Sequence, residues 1–173
     1  MYIPKGKAHS KEENKMLERN NTYFEELRRA GDEFEERRSA HEEKKQEIID
    51  TYGWDSEELK AWYDTKSKME YPIPAGACKA YRAWMQTLER EEDEVELNDF
   101  LWDREVEDFI KALKSAGIKT FIYTNQSTAV MENIHAFEQA GCRMDGLCKI
   151  SRTERRFGEN RLEQIIGIHF TVC

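Results

Sequence analysis

The sequence predicts an α+β protein: an N-terminal long-helix hairpin, then a small three-stranded, mostly antiparallel sheet with helices packed on one face. Three observations predict it. Residues 10–52 hold no proline and a single glycine, Gly31, among good helix formers. Two prolines, Pro72 and Pro74, then interrupt the chain. From Ile118 onward the apolar residues alternate with a period of two instead of recurring every three or four. These features divide the chain into a charged helical arm over 1–70, a linker over 71–76, and an α+β domain over 77–173 ordered helix, helix, strand, helix, strand, strand.

The arm opens with one long helix. Alternating steps of three and four from Leu17 pass through Phe24, Leu27, Gly31, Phe34, Arg38, His41, Lys45, Ile48 and Tyr52, a seam apolar at both ends and polar in the middle. The expected packing points are Phe24, Leu27 and Phe34, and then Ile48 and Tyr52, with the middle left wet. Such a broken seam can pair with a second copy as readily as fold back, which leaves a homodimer open. Gly53 stops the helix. A second helix follows, with Asp55 as its expected cap, Glu58 as reciprocal partner, and Leu59 and Trp62 on one side.

Tyr71-Pro72-Ile73-Pro74-Ala75-Gly76 reads as an extended connector, because each proline disfavours helix at and before itself. Tyr81, Trp84, Met85 and Leu88 mark the next helix. Val106, Phe109, Ile110 and Leu113 mark another, opened near Asp99 or Asp103 and closed by Ala116-Gly117. The first strand runs from Ile118, with Ile118, Thr120, Ile122 and Thr124 on one face and Lys119, Phe121 and Tyr123 on the other. Ser127 or Thr128 is expected to cap a helix carrying Val130, Met131, Ile134 and Phe137, closed by Gly141. Cys142–Ile150 and Gln164–Val172 complete the sheet, pairing antiparallel through the loop Ser151–Glu163. The apolar run Ile165 to Phe170 assigns the last strand the central place.

Composition narrows the function. There is no run of about 18 apolar residues, and the N-terminal MYIPKGKAHSKEEN lacks the apolar centre of a signal peptide, so a cytoplasmic location is expected. Cys78, Cys142, Cys148 and Cys173 show no CxxC spacing and read as free, buried thiols. His9, His41, His135 and His169 are scattered, so no metal and no cofactor are expected. The Thr124-Asn125-Gln126-Ser127-Thr128 junction lacks the flanking glycines of a phosphate loop and the GxSxG elbow of a hydrolase. No catalytic residues are therefore assigned, and a non-enzymatic protein is expected.

The blocks Ala80-Tyr81-Arg82-Ala83-Trp84, Asn98-Asp99-Phe100 with Trp102, Ala116-Gly117-Ile118-Lys119-Thr120-Phe121, Ser127-Thr128-Ala129 and Phe137 to Leu147 resemble an uncharacterised domain family. That family is common on plasmids, conjugative elements and phages of Gram-positive gut bacteria, and the resemblance runs from about Cys78 to Val172. It implies a genomic setting and no activity or catalytic residues. Small acidic proteins from such elements include inhibitors of CRISPR nucleases.

Three charged features are the candidate binding residues. The net charge of −8 is concentrated over 71–117, where six Lys and Arg face eleven Asp and Glu. There Glu89, Glu91, Glu92, Asp93, Glu94, Glu96 and Asp99 form an acidic cluster that could occupy a basic nucleic-acid channel, carboxylates standing in for phosphates; the bland reading is a solvated linker. Tyr23, Phe24, Arg28, Arg37 and Arg38 on the arm form a second candidate face. Arg152, Arg155, Arg156 and Arg161 form a basic hairpin that could contact phosphate, against which stands the overall negative charge. The expected function is a non-enzymatic macromolecule-binding protein of a mobile element, most concretely an anti-CRISPR-type inhibitor of Cas9. The alternative is a nucleic-acid-binding accessory or regulatory protein.

Overall fold

The computed structural model describes residues 21–156 and 159–173, with the side chains of 153–161 outside that description. Among them lie five helices and four strands: α1 (Thr22–Tyr52), α2 (Glu57–Ser67), α3 (Ala75–Glu89), β1 (Val95–Leu97), α4 (Asp103–Ser115), β2 (Thr120–Tyr123), α5 (Val130–Gln139), β3 (Cys142–Arg156) and β4 (Glu159–Val172). The chain divides into two compact units. One is Tyr23–Pro74; the other comprises the described residues up to Thr22 together with Ala75–Cys173.

In the first unit, α1 and α2 form the expected hairpin, turned by Gly53 at φ 84°. Ser56, not Asp55, caps α2: its hydroxyl accepts from the Leu59 amide at 3.2 Å. The middle of α1 is not left wet. Trp62 stacks flat on His41, ring centroids 4.7 Å apart, and its indole N–H donates to the His41 carbonyl at 2.7 Å. A half-polar seam position thus packs well against a partner that is both flat and a donor. Tyr71 lies edge-on to Phe34 at 5.1 Å, and Ile73 is buried near Gly31, so this stretch of the expected connector is part of the unit's packing. Ala75 and Gly76 already belong to α3.

The second unit holds a four-stranded mixed sheet ordered β1-β2-β4-β3, where the sequence predicts three strands. The additional strand, β1, lies inside the acidic run and pairs parallel with β2 through Val95↔Phe121, Glu96↔Ile122 and Leu97↔Tyr123. Its apolar-acidic-apolar alternation is only three residues long, too short to stand out among the surrounding carboxylates. β4 does take the central place, antiparallel to both β2 and β3. The β3–β4 hairpin is also longer than expected, because Ser151–Glu163 contributes mostly strand. The register sets Arg152 opposite Glu163, Glu154 opposite Arg161 and Arg156 opposite Glu159, so a segment that reads as a polar loop carries opposite charges at facing positions.

The pleat assigns the two faces of the sheet different chemistry. Phe121 and Tyr123 of β2 and Phe170 of β4 meet Phe109 of α4 and Phe137 of α5, with centroid separations of 5.2–5.6 Å for Phe109–Phe121, Phe121–Phe137, Tyr123–Phe137 and Phe137–Phe170. These rings form the core. α3 packs against α4 at close range: a Cβ on Gly76 would lie 2.0 Å from the Glu105 carbonyl, so no side chain fits there. The expected cap of α5 is absent. The helix starts at Val130, and Ser127 is turned by its own amide donating to Asn125 Oδ1 at 2.9 Å.

A charged network on the open sheet face

The face of the sheet away from the core carries Glu94 and Glu96 from the β1 segment, Thr120, Ile122 and Thr124 from β2 and its end, His169 and Thr171 from β4, and Arg152 from β3. Alternation brings them together, since each occupies the strand position opposite in phase to the core aromatics.

Two ionic clusters result. In the first, Glu96 is 2% exposed, and its carboxylate accepts from Arg90 Nη1 at 2.8 Å, from Thr124 Oγ1 at 2.5 Å and from Arg152 Nη2. A buried carboxylate survives because two guanidinium groups and a hydroxyl supply the bonds that water would. Its charge also reaches Glu92, whose carboxyl is pushed above its ordinary range by burial and by repulsion from Glu96. In the second cluster His169 lies between two carboxylates, Nε2 to Glu94 Oε1 at 2.9 Å and Nδ1 to Asp145 Oδ2 at 3.0 Å. Thr120 Oγ1 donates to Glu94 at 2.7 Å, and Thr171 Oγ1 to Asp145 at 2.6 Å. Arg143 Nε also reaches Asp145, at 2.9 Å. Asp145 sits where β3 bulges between Met144 and Gly146, and the bulge aims it at His169.

The protonation of this cluster follows from its contacts. Burial alone would push the imidazole of His169 down, but hydrogen bonds to Glu94 and Asp145 and their charges outweigh it and hold its pKa above the ordinary value. Asp145 is held below its ordinary range, chiefly by the Thr171 hydroxyl, with Arg143 and His169 adding to it against the effect of burial. A histidine with a carboxylate at each nitrogen makes both hydrogen bonds only when both nitrogens carry protons, and in that form it ties β4 to the β1 segment and to β3.

The structure scatters the sequence-derived candidates. Of the acidic cluster, Glu89, Glu91 and Asp93 are exposed, Glu92 is half-buried, Glu94 and Glu96 belong to the two networks above, and Asp99 accepts from the Phe100 amide at 2.8 Å. The run is thus not one solvated carboxylate face, because strand β1 takes its last members into the sheet. On the arm, Phe24 is fully buried and is no exposed anchor; Tyr23 is half-buried. Arg28 bridges Glu25 at 3.1 Å and Asp32 at 2.8 Å, Arg38 pairs with Glu35 at 3.0 Å, and Arg37 donates to the Glu33 carbonyl. Arg152 is engaged by Glu96 and is mostly covered. The side chains of Arg155, Arg156 and Arg161 lie outside the described residues.

Sequence reasoning missed the His169 cluster and β1. A signal was available: Thr120, Thr124, His169 and Thr171 are polar at alternate positions of strands whose other face is aromatic. Of the thiols, Cys142 is buried and its pKa is pushed up to about 11 by that burial, whereas Cys78 and Cys148 are half-buried and Cys173 is exposed. Among the described residues no cluster of three or more metal-ligating side chains is present, and no helix is long and apolar enough to cross a membrane.

The second unit is therefore an α+β domain built on a mixed sheet, aromatic on its helix-covered face and ionic on the other. The family described as "Domain of unknown function (DUF7698)" matches residues 79–172, more than half of the chain, and the protein belongs to that family. Comparison with curated proteins and with solved structures returned no match.

Proposed function

We propose that the protein is a non-enzymatic, cytoplasmic binding protein whose partner is another protein, engaged through the β3–β4 ribbon. One observation carries this reading. Beyond Tyr123↔Ile168 no further strand pairs with the hairpin among the described residues, so the outer part of β3 and β4 is a two-stranded ribbon. The side of that ribbon in phase with the core aromatics carries Leu147, Leu162 and Ile166 at 75%, 71% and 57% exposure. Large aliphatic side chains aligned on a surface favour a protein partner: they offer no charge to phosphate and no flat ring to a base.

The exposed carboxylates Glu89, Glu91 and Asp93 suit a partner with a basic surface. A protein of a mobile element that docks on the nucleic-acid channel of a Cas nuclease, Cas9 in the most concrete version, fits both features. The nucleic-acid-binding alternative has less support, since Arg152 is committed to Glu96.

The test is a pull-down of purified Cas9, with and without guide RNA, by the wild-type chain and by a Leu147→Asp/Ile166→Asp variant, alongside a target-cleavage assay. Binding by the wild type, lost in the variant and weakened by salt, is the expected result. No binding with unimpaired cleavage removes Cas9 as the partner. A DNA or RNA mobility shift at low salt that the variant retains overturns the protein-partner reading in favour of nucleic acid.

A further inference from the structure

We propose that His169 is a proton-operated latch: as an imidazolium it ties the end of the acidic run, through Glu94, and the β3 bulge, through Asp145, to the central strand β4, and it releases them on deprotonation. The inference stands apart from the partner reading, because it rests on the geometry of the sheet alone.

Carboxylates only accept hydrogen bonds, so an imidazole with one at each nitrogen keeps both bonds only while both nitrogens carry protons. Loss of one proton leaves a lone pair facing a carboxylate on one side and removes the positive charge that separates two anions. The groups bonded to the ring and to its two carboxylates are charged or polar. Glu94 precedes β1, with Cys148 of β3 nearby, its thiol pushed up by burial and then by the Glu94 charge. Asp145 and Arg143 lie on β3, Thr120 on β2 and Thr171 on β4. Ile122 is the cross-strand neighbour on β2 and Gly146 on β3, so no second cation from either pairing position replaces the lost one.

The latch holds segments with few other ties. β1 has three residue pairs to β2, and Glu94 lies outside them, bonded to Thr120 and His169. Asp145 is the bulged residue, without a pairing partner of its own on β4. Glu96, one residue inside β1, is fastened separately by Arg90 and Arg152. Opening the latch therefore loosens Glu94, left with its Thr120 bond, without unzipping the strand, while Glu91 and Glu92 keep their backbone bonds to Leu88 and Thr87.

The pH window follows from the signs. The folded pKa of His169 is above its unfolded value of 6.5, so its stabilisation is complete below 6.5 and is lost as pH rises through the folded value. The folded pKa of Asp145 is below its unfolded value of 3.8, so its contribution is present above 3.8 and is lost as pH falls through the folded value. The latch is closed between those two folded values.

The experiment is an NMR titration of the imidazole nitrogens, combined with amide hydrogen exchange at Glu94, Val95, Asp145 and Gly146, on the wild type, His169→Gln and Asp145→Asn. The expected wild-type midpoint lies above 6.5, with both nitrogens protonated below it. Protection at the four amides should fall through that midpoint, beyond the intrinsic rise of exchange with pH. His169→Gln should show no such step, and Asp145→Asn should lower the midpoint by about one unit or more. A midpoint at or below 6.5, or the same step in His169→Gln, overturns the latch. If His169→Gln does not fold, Glu94→Gln replaces it: an unmoved His169 midpoint there overturns the proposal equally.

Discussion

The two faces of the sheet use the same four strands and opposite physics. On the helix side Phe109, Phe121, Phe137 and Phe170 are fully buried, and their contribution scales with the apolar area withdrawn from water. On the other side Glu96 is equally hidden from water, but its burial depends on particular partners, Arg90, Arg152 and Thr124. Area tolerates small changes in shape and is indifferent to protons. Ionic networks fail when one member is lost, and where a histidine is a member they respond to pH. The difference assigns stability to one face and responsiveness to the other.

Substitutions can break or sharpen that contrast. The largest effect is expected at Phe137→Ala, which empties the centre of the aromatic core and should cost about 3–5 kcal/mol in denaturant unfolding. Glu96→Gln should cost about 3 kcal/mol, because it leaves Arg152 and Arg90 without their anion in a covered site. A double variant, Glu96→Gln with Arg152→Met, should recover part of that loss, which no second change does for Phe137→Ala; equal additive losses would show that the network is not a unit. Gly167→Ala should cost about 1–3 kcal/mol, since its Cβ would lie 2.5 Å from Ile122 Cγ2 and force the open face apart. At the small end, Arg28→Ala on the exposed flank of α1 should change stability by less than about 0.5 kcal/mol, as its pairs with Glu25 and Asp32 are solvated.

Much of this arrangement was legible before any coordinates. The hairpin turn at Gly53, the helices around Trp84, Phe109 and Phe137, and the central place of the last strand follow from periodicity and from residues with narrow backbone preferences. The caps were less legible. Ser56 and not Asp55 caps α2, and neither Ser127 nor Thr128 caps α5, because several neighbouring polar residues can each serve and local sequence does not choose among them. The candidate site was the least legible part. Glu94 and His169 are 75 residues apart, and Glu96 and Arg152 are 56 apart, so neither pair leaves a local pattern.

By itself the sequence determined the helices, strand β2, the inner parts of β3 and β4, and which faces are apolar, since those depend on neighbours within a few residues. Only the tertiary structure decided which members of the acidic run stay in water and which enter the sheet. A three-residue strand has too little apolar alternation to declare itself; it forms because β2 offers a free edge, α3 packs against the strand, whose Val95 and Leu97 are buried, and Arg90 and Arg152 neutralise the glutamate between them.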